Sequence, residues 1–84
     1  MSKFICIFTE FYYDISGIPA YSDARLVENK KDVLKFLGNI KSKNVYHKDF
    51  IEKVRKQLSS SLEEKVIDIN YFEVGMFIKL IKVN

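Results

Sequence analysis

Cysteine, histidine and proline each appear once in these 84 residues, and each scarcity removes a class of chemistry. With Cys6 alone, no disulfide closes within the chain and no cysteine-based zinc site forms. A lone thiol inside the apolar stretch FICIF is expected to be a small buried hydrophobe in a reducing compartment, so the expected localisation is cytoplasmic. As a nucleophile it would need exposure and an activating base. His47 has no cysteine or second histidine near it, so a solvated or helix-capping role is expected rather than catalysis or metal binding. The carboxylates Asp14, Asp23 and Glu28 are scattered through a loop and an edge strand, where they are expected to serve solubility rather than Mg²⁺. A Gly-rich phosphate loop, a nucleophile elbow and an HExxH pattern are all missing. No stretch reaches the ~20 apolar residues of a membrane span. Glu10 interrupts the apolar N-terminal run and no small-residue cleavage site follows it, which argues against a signal peptide. The expectation is a protein that is not an enzyme, holds no metal or cofactor and does not enter a membrane.

What is present is apolar and aromatic. Hydrophobic residues make up 48% of the chain and aromatics 14%, which excludes a disordered protein. The length fits one domain, residues 1–84, large enough to bury a core without staples. The net charge of +3 is unevenly spread: residues 30–56 hold nine Lys and Arg against Asp32, Asp49 and Glu52, while both ends are mildly acidic.

Residues 3–13 (KFICIFTEFYY) are apolar at odd and at even positions, which predicts a central strand covered on both sides. Gly17 and Pro19 mark residues 14–19 as a loop, and the alternation of residues 21–28 predicts an edge strand returning antiparallel. Asn29 is a helix N-cap candidate, with Asp32 in the reciprocal position of a capping box. Val33, Leu34, Phe36, Leu37 and Ile40 then follow helical spacing, with Gly38 a weak point at which the helix is expected to end unless it runs on to Ile40. A second helix is predicted from Tyr46 or His47 to Leu58, its apolar face Phe50, Ile51, Val54 and Leu58, with Asp49–Lys53 and Glu52–Lys56 as i,i+4 ion pairs. Ile67, Ile69 and Tyr71 alternate with Asp68 and Asn70 in a strand over residues 65–72. Residues 73–75 are expected to turn the chain into a last strand, 76–83, apolar on both sides.

The resulting expectation is a single small α+β domain, β-β-α-α-β-β. It consists of a four-stranded antiparallel sheet, its first and last strands central, with two helices packed on one face. The second face of the central strands would then be left over: Phe4, Phe8 and Tyr12 or Ile5, Ile7, Phe11 and Tyr13, beside one or the other face of the last strand. Soluble monomers seldom expose a contiguous apolar patch beyond a few hundred Å². Either this chain covers it, through a helix or residues 14–20, or a partner does.

The leading functional expectation is therefore a non-enzymatic interaction module for a protein partner, a homodimer or both, with Phe11, Tyr12, Tyr13 and Tyr21 as partner-binding candidates. In size, Lys/Ile/Asn-rich composition and lack of catalytic motifs the chain is similar to the small phage accessory proteins that block host or defence machinery, anti-CRISPR proteins among them. That format implies an inhibitor acting by occlusion of a functional surface. The alternative is a small basic nucleic-acid-binding regulator, RNA or DNA, using Lys48, Lys53, Arg55 and Lys56. Only two of the fourteen basic residues are Arg, the residue that bidentate base or phosphate recognition favours.

Overall fold

Apolarity on both sides puts the first and last strands in the middle of the sheet. The computed structural model describes residues 3–13, 19–42 and 44–83. Its elements run β1 (Lys3–Tyr12), β2 (Pro19–Val27), α1 (Lys30–Asn39), α2 (His47–Gln57), β3 (Lys65–Tyr71) and β4 (Val74–Val83). The sheet order is β2-β1-β4-β3, every neighbour antiparallel. This is the predicted α+β arrangement, with both helices on one face. Asp14, Gly17 and Lys43 lie outside the described residues, and so does the predicted loop apart from Pro19. Pro19 is not loop: it opens β2, an edge strand, and the first position of a strand tolerates a missing N–H.

The core forms between sheet and helices. β1 contributes Phe4, Cys6 and Phe8, and β4 contributes Met76, Ile78 and Leu80. The helices close over them with Val33, Phe36 and Leu37 from α1 and Phe50 and Val54 from α2. Phe8 is fully buried and packs edge-on against Phe50 and His47, with ring centroids 5.8 and 5.7 Å apart. Burial pushes the Cys6 thiol up to about 12, so it stays protonated and inert.

Local signals set the helix ends. Asn29 accepts a hydrogen bond from the Asp32 amide at 2.9 Å, capping α1 as predicted. The Asp32 carboxylate accepts from Glu28 N–H at 2.9 Å, not from the cap residue itself, so the box is displaced by one residue. Exposed Gly38 stays inside α1, which ends at Asn39 with Ile40 as its C-cap, so the glycine does not end the helix. In α2 the pair Asp49–Lys53 forms at 2.8 Å as predicted. Glu52 instead takes Arg55 at 3.0 Å, one turn position earlier than Lys56.

The β3–β4 hairpin corrects the predicted turn. Tyr71 pairs with Val74, so Phe72 and Glu73 alone form the loop, and Glu73 adopts the left-handed conformation (φ 66°). Gly75 belongs to β4 and is buried. A side chain there would meet the Tyr13 hydroxyl and Asn70 Oδ1, which hydrogen-bond to each other across it. Among the described residues, no helix is long and apolar enough to cross a membrane.

Asn29→Ala is expected to lower stability by about 1 kcal/mol in a urea titration, while Asn29→Asp retains it. Cys6 is expected to resist a disulfide reagent until denaturant opens the fold.

Candidate functional site: the open face of the sheet

Strand register decides which side chains lie opposite the helices. In β1 the even positions turn toward them, leaving Ile5, Ile7, Thr9 and Phe11 on the other face. Pairing places Phe77, Lys79, Ile81 and Val83 of β4 on that same face, with Val66, Asp68 and Asn70 of β3. From β2 come Ser22, Ala24 and Leu26. Ile5, Ile7, Phe11, Phe77 and Ile81 are partly exposed along its middle, while Leu26 (60%) and Val66 (56%) are largely exposed at its two margins. Among the described residues, no helix or loop covers them. Of the cover predicted from residues 14–20, residues 14–18 lie outside the described residues, while Pro19 and Ala20 belong to β2.

The face is apolar but not featureless. Phe11 and Phe77 stack across the central strand pair, centroids 5.8 Å apart and planes within 19°. Thr9, between them and Ile7, is buried, and its hydroxyl lies 3.4 Å from that of Ser22. Tyr13 closes one end, its hydroxyl donating to Asn70 and its amide to the Glu73 carbonyl at 3.1 Å. A stacked aromatic pair of this kind is a rigid anchor, which loses little entropy when covered.

The four aromatic candidates do not form one surface. Phe11 and Tyr13 belong to the open face. Tyr12 points to the helix side, where its hydroxyl donates to Glu10 Oε2 at 3.1 Å. Tyr21 also lies on that side, its ring 6.2 Å from Phe8. The register selects Phe77, Ile81 and Val83 from the two faces of β4 left as alternatives by its two-sided apolarity, and adds Leu26 and Val66 at the margins, which the sequence did not single out.

The helix side carries the polar ties. Glu10 is buried, its two oxygens accepting from Ser42 at 3.0 Å and from Tyr12. His47 is neither solvated nor a cap: it is buried under α1, with Nε2 2.9 Å from the Leu37 carbonyl. That oxygen can only accept, so Nε2 carries the hydrogen, and Nδ1 has no partner among the described residues. Tyr71 donates to Asp49 at 2.6 Å, stacks on Tyr46 at 4.6 Å and lies under the Lys53 ammonium at 4.9 Å. Burial, then the bond to Asp49, pushes the Tyr71 hydroxyl well above its usual range. The Lys53 and Tyr71 hydrogen bonds hold the Asp49 carboxyl below its own.

The four basic candidates are all exposed on α2 but face different ways. Lys53 is engaged with Asp49 and Tyr71, and Arg55 with Glu52. Lys48 and Lys56 form no ion pair among the described residues. Arg55 does join Lys30, Lys31 and Lys35 around a groove of about 780 Å³ floored by Leu34. Among the described residues no cluster of His, Cys, Asp and Glu has the makings of a metal site.

No family model matches the chain, and neither a curated protein nor a solved structure does.

Titration at 295 nm checks the Tyr71 tie. The last tyrosine to ionise is expected to vanish in Tyr71→Phe. A neutral hydroxyl favoured by folding stabilises fully below the unfolded tyrosine value of about 10, and that contribution is lost as pH rises above it.

Proposed function

We propose that the protein is a non-enzymatic interaction module that docks a protein partner on the open face of its sheet. One observation carries this reading: Ile5, Ile7, Phe11, Phe77 and Ile81 share one face of the two central strands around Thr9 and Lys79, and among the described residues no helix lies over them. Covering such a strip removes apolar surface from water, worth about 25 cal/mol per Å², and the stacked Phe11–Phe77 pair supplies its centre. If the partner is a host or defence protein, occlusion is the mechanism this shape offers. A rigid sheet laid over a functional surface blocks it without chemistry.

A second reading has one specific observation behind it. The groove between the helices brings Lys30, Lys31, Lys35 and Arg55 together, a surface suited to the phosphates of a nucleic acid. Two of these cations already have work in the fold, since Lys30 donates to the Leu58 carbonyl at 3.1 Å and Arg55 pairs with Glu52. The docking reading therefore ranks first.

A pull-down with surface variants tests both. Phe11→Ala and Tyr13→Ala are expected to weaken capture of the partner, whereas Tyr12→Ala and Tyr21→Ala, on the helix side, leave it unchanged. Nuclease treatment is expected to have no effect. Capture that disappears with nuclease, and falls steeply with salt unless Lys31 and Lys35 are neutralised, would reverse the ranking.

A further inference from the structure

We propose that the occupant of the open face is a second copy of this chain, packed sheet against sheet about a two-fold axis. This rests on the docking reading and names its partner.

Charge is the first argument. The chain carries +3 overall, and nine of its basic residues lie between residues 30 and 56, which include both helices. Two copies meeting through their helical layers would repel. In the middle of the open face the charged side chains are Lys79 and Asp68, one of each sign, both exposed. Neither makes an ion pair within its own chain among the described residues. They stand on adjacent strands, Lys79 opposite Val66 and Asp68 opposite Phe77. A two-fold axis running across the strands, between the rows of Lys79 and Phe77, brings Lys79 beside the partner's Asp68. Symmetry repeats the contact, because in an isologous interface what i makes with j, j makes with i. The same operation lays Ile5 and Ile81 over the partner's Phe11 and its neighbourhood, apolar on apolar.

Area is the second argument. Four strands about 4.8 Å apart, each presenting roughly seven residues at about 3.3 Å, give a footprint near 450 Å² per copy. The two copies together cover about 900 Å² of footprint before side-chain relief is added, close to the ~1,000 Å² expected of a specific interface. Paired sheets align within about 30° at a separation near 10 Å, a spacing that Ile, Val and Phe side chains fill. An interface close to that lower limit belongs with weak, reversible contacts rather than permanent dimers.

Sedimentation of the full chain tests this from about 1 μM to a few hundred μM, the span in which such a dimer half-dissociates. The mass is expected to climb from 9.9 kDa toward twice that value. Phe77→Glu is expected to remain at the monomer mass with an unchanged circular-dichroism spectrum. Lys79→Asp or Asp68→Lys alone is expected to weaken association roughly tenfold, through two symmetric like-charge contacts. The double variant Lys79→Asp/Asp68→Lys is expected to recover it. These two positions are exposed, so their effects do not depend on refolding the core. A constant 9.9 kDa for the natural chain, or charge reversals that the swap does not repair, overturns the second copy as occupant. If that monomer still binds an apolar dye and loses it in Phe77→Glu, the docking reading stands without the dimer. If it binds none, both fall.

Discussion

Two helices can roof one face of this sheet and no more. α1 and α2, ten and eleven residues long, are each about 15 Å in length and about 10 Å across. Side by side they span about 20 Å, close to the width of four strands about 4.8 Å apart. Among the described residues nothing remains for the other side, yet β1 and β4 are apolar there too. Every later property of the molecule follows from that mismatch between one covering layer and two apolar faces.

The directional interactions sharpen it. Among those joining sheet to helices or connectors are Glu10 to Ser42, Tyr71 to Asp49, Asn44 to the Met76 sulfur at 3.4 Å and Lys65 to the Gln57 carbonyl at 2.7 Å. His47 then ties α2 to the end of α1 through the Leu37 carbonyl. Each fixes a relative position that apolar contact alone would leave loose, since burial is non-directional. On the open face the side-chain ties of the described residues are two, Thr9 with Ser22 between β1 and β2, and Tyr13, just past β1, with Asn70 of β3. The helix side is thus fastened as a unique core. The open side keeps an apolar surface that a partner can cover without breaking any hydrogen bond.

Much of this was legible in the residues, and the failures have physical causes. Ile67, Ile69 and Tyr71 alternating with Asp68 and Asn70 announced a strand with one wet face, and Asn29 announced its helix. The face left open was not readable from β1, because a strand apolar at every position has no sign to its pattern. It was nearly readable from β3. Its apolar set fixes the parity of β4 once the hairpin length is known, but a turn placed at residues 73–75 shifts the pairing by three, an odd number, and exchanges the faces. Gly75 drew the turn to itself, whereas the left-handed position is Glu73 and the glycine serves a close approach of Tyr13. The burial of His47 had no local signal at all. It depends on the carbonyl at Leu37, ten residues away on another helix.

The two surfaces of functional interest lie on opposite sides of the molecule, and this separates their physics. The lysine-rich groove belongs to the helical layer, with the sheet and the core between it and the strip around Phe11 and Phe77. The cations of the groove stand at least one packed layer, about 10 Å, away from the strip. A partner seated on the strip therefore meets the local pair Lys79 and Asp68 far more than the distant cations. Occupation of one side leaves the other accessible. A copy or protein held on the sheet and an anion held between the helices can coexist, and a dimer built on the open face would carry its two basic grooves outward, one on each side.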